Sequence, residues 1–213
     1  MPRKSTAVPP EKAKLLQDLI SRFDALVQQD GFELQAEGRE TTWVRKQQAG
    51  EASIHLNASF KKRSWRLGLT LRQVYVDAGL ERCVLRTHLQ LLNPERFAAH
   101  LILADPLDLE RRTLDLQDGF WNEVLPFFAA VDTIQKGIEV ILQHSDWFIG
   151  PSRWKPFLLA DQLAGLLEVS ETTAIRQRIA AAVQHKHAGN PEMLASWEQV
   201  QASLLQKRPP EYD

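Results

Sequence analysis

The chain has 213 residues, 44% of them hydrophobic and 25% charged. This is ordinary globular composition, enough for one large domain or a domain with an appendage, and it excludes a disordered, collagenous or rod-like chain. Lys and Arg number 26 against 27 Asp and Glu, a net charge of -1, so no global field draws polyanions to the molecule.

Residues 1–10 hold Arg3 and Lys4 but no apolar run behind them. They read as a loose arm rather than a secretory signal. Pro10-Glu11 suits a first helical turn, and Leu15, Leu16, Leu19, Ile20, Phe23, Leu26 and Val27 recur at three and four residues. That spacing predicts a helix over 11–29, stopped by Asp30-Gly31. Period two then takes over, predicting strands at 32–36, 41–47, 52–60 and 65–76. Ile54, Leu56, Ala58 and Phe60 alternate with Ser53, His55, Asn57 and Ser59, and Trp65, Leu67, Leu69 and Leu71 alternate with Arg66, Gly68, Thr70 and Arg72. Short turns between these segments imply an antiparallel meander with one wet face. Residues 80–92 fit a helix through Leu80, Val84, His88 and Leu91 or a strand through Cys83, Leu85, Thr87, Leu89 and Leu91, and the balance falls to a strand at 83–92. Asn93-Pro94-Glu95 reads as the start of a helix over 94–104, which Asp105-Pro106 would end. Thr113 to Leu116 reads as one more short strand.

From about residue 119 the period is helical. It predicts helices at 120–132, with Pro126 near the middle, and at 133–144. An aromatic break at 147–152 follows, then helices at 156–168, 171–186 and 191–206 and a frayed tail from Lys207. The fold class is therefore α+β: an N-terminal helix, an antiparallel meander of four or five strands covered by helices, and an all-helical C-terminal part. Residues 1–150 form the α+β domain and 151–213 a helical extension packed on it. Trp147, Phe148 and Trp154 make the junction too apolar for a free linker.

Recognisable reaction chemistry is scarce. No Gly-rich phosphate loop, GxSxG elbow or HExxH helix occurs. The six histidines include His185 and His187, which diverge at a helical spacing of two and suit a helix C-terminus better than a metal. His144 and Asp146 have the spacing of a base and its orienter, but they fall where a helix ends. Asp105, Asp108, Glu110, Asp115 and Asp118 are interrupted by Arg111 and Arg112, so 105–118 reads as a self-neutralising segment rather than a cation site. No metal and no cofactor are expected. Cys83 is the only cysteine, which excludes an intramolecular disulfide and reads as a packing residue in a reducing, cytoplasmic setting. No segment has the roughly 20 apolar residues of a membrane span.

One local excess of charge stands out. Residues 61–72 carry five cations and no anion: Lys61, Lys62, Arg63, Arg66 and Arg72, with Trp65 among them. Basic groups with an aromatic can hold single-stranded nucleic acid. The competing reading is a charged turn with Trp65 in the core. Any of the six tryptophans that proved exposed would mark an interface.

The opening helix with Leu15, Leu19 and Phe23, then Gly31-Phe32, Thr42-Trp43-Val44-Arg45, Ile54-His55-Leu56-Asn57 and Leu67-Gly68-Leu69 resembles an uncharacterised bacterial family, domain of unknown function 4304. The likeness covers residues of about 11–145. It implies an α+β fold and brings no activity and no catalytic residues.

These readings favour a non-catalytic, cytoplasmic interaction protein whose partner is another protein, such as a bacterial accessory or toxin-neutralising protein. One alternative is an enzyme using His144 and Asp146 or the 105–118 carboxylates. The other is a nucleic-acid binder through Lys61, Lys62, Arg63, Trp65, Arg66 and Arg72. The oligomeric state stays open.

Overall fold

Pro10 opens the first helix, α1 (Pro10–Val27), where its missing N–H costs nothing, and the stripe Leu15, Leu16, Leu19, Ile20, Phe23 and Val27 is buried. A 3-10 turn follows, and Gly31 ends it at φ 77°, a left-handed value. The computed structural model describes residues 8–38, 40–77, 80–97, 101–148 and 154–207. Most of the expected N-terminal arm, the 149–152 part of the break, His100 and the tail after Lys207 lie outside the described residues.

The meander forms in chain order. Strands β1 (Glu33–Ala36), β2 (Glu40–Gln47), β3 (Gly50–Lys61), β4 (Ser64–Asp77) and β5 (Leu80–His88) each pair antiparallel with the one before. A short β6 (Leu101–Leu103) pairs with Trp65–Leu67, while β5 pairs with Thr70–Asp77. The long β4 thus offers the edge away from β3 to two shorter partners. Trp43, Ile54, Leu56, Trp65, Leu67, Leu69, Leu71, Tyr75, Cys83 and Leu85 are buried on one face of the sheet, as alternation requires.

Three expected elements are corrected here. The described residues of 94–104 form no helix. The Asn93-Pro94 signature closes only a single turn, with Phe97 N bonded to Asn93 O at 3.1 Å, and Leu101-Ile102-Leu103 joins the edge of β4 instead. β5 ends at His88, and Leu89–Leu92 is one helical turn, α2. Thr113 to Leu116 is not a strand. Asp105-Pro106 starts a helix, α3 (Pro106–Gly119), so the helical half begins there and not near 119. Asp105 Oδ1 accepts from Asp108 N at 2.8 Å, and Asp108 Oδ2 accepts from Ala104 N at 2.9 Å. This is the reciprocal logic of a capping box, written with aspartates.

The chain then passes through a wide turn, Phe120–Val124, in which Leu125 N bonds to Phe120 O, into α4 (Leu125–Ala130). Pro126 sits in the first turn of α4, directly after the wide turn. α5 (Ile134–Gln143) is capped by the Thr133 hydroxyl. The last three helices are α6 (Lys155–Ala164), α7 (Val169–Lys186) and α8 (Pro191–Lys207).

Sheet and helices share one contiguous core. Phe23 stands edge-on to Trp43 at 5.1 Å and to Phe120 at 6.1 Å, joining α1, β2 and the wide turn. The Tyr75 hydroxyl donates to Val131 O at 2.7 Å. Gly137 lets α5 lie against that ring, because a Cβ there would fall on the Tyr75 hydroxyl and 3.1 Å from Cζ. Leu159 of α6 meets Cys83 on β5, and Trp197 of α8 packs on Trp154 and Phe157 at 5.4 and 6.0 Å. α6 therefore buries the same sheet face as the helices before it, and α7 and α8 join the core by packing on α6. Among the described residues no helix is long and apolar enough to cross a membrane.

Candidate functional site

The helices cover one face of the sheet, and the alternate residues point the other way. On that open face the register sets Thr42 opposite His55, His55 opposite Thr70, and Thr70 opposite His88, one polar row across β2, β3, β4 and β5. The next row is Val44, Ser53, Arg72 and Arg86. It puts two guanidinium groups directly opposite each other and makes this part of the face locally basic. Arg86 is exposed, and Arg66 and Arg72 are half-buried.

The histidines are held by hydroxyls. His55 Nδ1 lies 3.1 Å from Thr42 Oγ1 and its Nε2 lies 3.0 Å from Ser53 Oγ. His88 Nδ1 lies 3.0 Å from Thr70 Oγ1, which also accepts from Asn57 Nδ2 at 3.4 Å. A neutral imidazole has one donor and one acceptor nitrogen, and a hydroxyl can serve either, so His55 is satisfied uncharged. Both rings ionise below the ordinary histidine value. For His55 burial is the first cause and Arg72 the second, with Glu40 opposing them. For His88 burial again leads, followed by Arg86.

Ser53 and His55 also have the separation of a nucleophile and its base. The surroundings do not complete that chemistry. The third member is the neutral Thr42 rather than a carboxylate, and Ser53 is only 2% exposed.

The basic hairpin joins this face at one end. Lys61 pairs with Ser64 across a two-residue turn in which Lys62 and Arg63 both take positive φ, 49° and 69°. This is the primed turn that suits strand twist, built without its usual Asn or Gly. Lys61, Lys62 and Arg63 are all exposed. Trp65 is not presented with them. It is 3% exposed, and its indole donates to Lys12 O at 2.7 Å on the covered side. Of the six residues singled out in the sequence, three thus form the hairpin tip, Arg66 and Arg72 lie on the open face, and Trp65 belongs to the core. His55, His88, Arg86, Thr42, Ser53 and Thr70 were not singled out. Their only sequence signal is that they fill polar positions of the alternation, and nothing local reveals that four strands align them.

The other candidates are occupied differently. His144 lies flat on the Trp147 ring at 4.1 Å. Asp146 lines a hollow of about 670 Å³ with Ser145, Phe157, His185 and Lys186, where the Lys186 ammonium donates to the Ser145 hydroxyl. His187 stands edge-on to Trp154 at 5.1 Å, away from His185. In the acidic segment Asp105 caps α3, Glu110 pairs with Arg22 at 2.8 Å, Asp115 with Arg112 at 2.6 Å, and Asp118 with Arg96. Among the described residues no three histidine, cysteine or carboxylate side chains gather as metal ligands would. A second hollow, about 500 Å³, runs beside α1 and is lined by Val8, Leu16, Ile20 and Trp65. No family model, no curated protein and no solved structure matches the chain.

Proposed function

We propose that this chain is a non-catalytic binding protein whose partner is another protein, held by its carboxylates on the open face of the sheet. The observation that carries the reading is Arg72 facing Arg86 beside two uncharged imidazoles. Two adjacent guanidinium groups make this part of the face basic, and an anionic ligand complements that charge. The half-buried Thr42 hydroxyl and the exposed Asn57 amide add neutral hydrogen-bonding groups to the same surface. An accessory or toxin-neutralising role in a bacterial cytoplasm is of this class, and the single buried thiol, Cys83, suits a reducing compartment. The resemblance to domain of unknown function 4304 is part of the proposal and supplies no site residue.

A second reading, nucleic-acid binding, is favoured by the exposed tip Lys61, Lys62 and Arg63. It lacks the stacking platform such sites use, since Trp65 faces the core.

One experiment separates them. The full chain and an Arg66→Glu/Arg86→Glu variant are used to capture proteins from a lysate of the native organism, with thermal melts confirming equal folding. A specific acidic protein retained by the parent and lost from the variant is the expected result. Identical capture by both overturns it. In parallel, a single-stranded oligonucleotide is titrated at about 50 and 200 mM salt. Tight binding that collapses by a factor of 10³ or so over that range would move the assignment to nucleic acid.

A further inference from the structure

Leu107, Leu114 and Trp121 are 72%, 65% and 42% exposed. They follow one another at seven residues along α3 and the wide turn that continues it, on one line about 21 Å long. The opposite side of the same helix carries Leu109, Leu116 and Phe120, all buried. The fold has used the inner stripe and cannot reach the outer one. Exposed apolar groups in a row, ending in a tryptophan, mark a contact surface rather than scattered surface residues.

We propose that this outer stripe joins two copies of the chain, with their α3 helices antiparallel about Leu114. Leu114 then meets Leu114 of the partner subunit, and Leu107 meets Trp121 of the partner subunit. The charges on the flank fit the same symmetry. Arg111 and Asp118 lie on one side of the stripe, three residues before and four after Leu114. Antiparallel packing brings Arg111 beside Asp118 of the partner subunit, and the two-fold axis repeats that contact. On the other flank Glu110 meets the neutral Gln117 of the partner subunit. Arg111 is exposed and enters no ion pair among the described residues, whereas Glu110, Arg112, Asp115 and Asp118 are each paired within the chain. Three large side chains from each subunit and two ion pairs make a contact at the small end of protein interfaces, so the association is a reversible one.

The test is sedimentation of the full chain from about 1 to 500 µM, a range that covers weak protein contacts. A monomer–dimer equilibrium is expected. Leu114→Asp is expected to weaken it by roughly tenfold or more, with an unchanged melt because the side chain is exposed. If that variant melts early, Leu107→Asp serves in its place. Chains carrying Arg111→Asp alone and chains carrying Asp118→Arg alone are each expected to stay monomeric and to dimerise when mixed, since mixing restores an opposite-charge pair at both contacts. A monomer throughout the range, including one whose stripe is covered instead by a different protein, overturns the proposal. So does a dimer indifferent to Leu114→Asp and Leu107→Asp.

Discussion

His55 and His88 give the open face two pH dependences of opposite sign. Both ionise below the ordinary value of 6.5 in the folded chain. As the pH falls through 6.5 the unfolded chain takes up protons first, so the stability these rings contribute is whole above that pH and declines below it towards the folded values. Urea midpoints are therefore expected to fall between pH 7.5 and 5, and by less in His88→Gln. A pH slope unchanged in that variant counts against the assignment. Binding of an anionic partner runs the other way. Protonation adds charge beside Arg72 and Arg86, so affinity is expected to rise over the same interval, with Glu40 the opposing carboxylate. Deeper in the molecule, Tyr75 illustrates how one atom constrains a helix. Its hydroxyl is buried and bonded to Val131 O, and burial raises its ionisation. Tyr75→Phe leaves that carbonyl without its donor and is expected to cost about 1–3 kcal/mol. Gly137→Ala is expected to cost at least as much, because the added methyl displaces the ring itself. Both are read from denaturation midpoints.

At the scale of elements, the β3–β4 hairpin is built against local preference. Lys62 and Arg63 each occupy a left-handed conformation that disfavours ordinary residues by roughly 1–2 kcal/mol. Asn at 62 with Gly at 63 is expected to raise the melting temperature by about 2–4 °C for each kcal/mol recovered. The same change removes two of the exposed cations at the tip. If the tip binds a ligand, stability and affinity will therefore move in opposite directions, which a paired melt and titration detects. The strands and most helices were legible because their apolar period is unambiguous, as in Trp65, Leu67, Leu69 and Leu71. The segment 93–119 departs from its local pattern for a specific reason. Asn-Pro and Asp-Pro carry the same start signal, and only the second is followed by a capping partner, Asp108, that can reach back. Leu101 to Leu103 is equally compatible with a helix until the edge of β4 is available to pair with it.

At the scale of the whole molecule, the core runs without interruption from α1 to α8. A chain ending at residue 153 would uncover Cys83 and Leu85 on β5 and Ile138 and Ile141 on α5. It is expected to lose its cooperative thermal transition and to bind hydrophobic dyes. The full chain is expected to unfold in one step, coincident by circular dichroism and by tryptophan fluorescence. Trp43, Trp65 and Trp121 report on the first part, and Trp154 and Trp197 on the last. A truncated chain with a sharp transition would show instead that the first 153 residues fold alone.

Sequence alone determined the α+β class, the antiparallel meander, the inward face of each long strand and the basic hairpin. Each of these follows from spacing between near neighbours, and a side chain's face is set by the period of its own element. Tertiary structure decided what stands beside what. It turned Trp65 away from the lysines, gave β6 to the edge of β4, and aligned Thr42, His55, Thr70 and His88 from four strands. Those outcomes depend on register and on packing between segments tens of residues apart, and no local pattern in the chain encodes either.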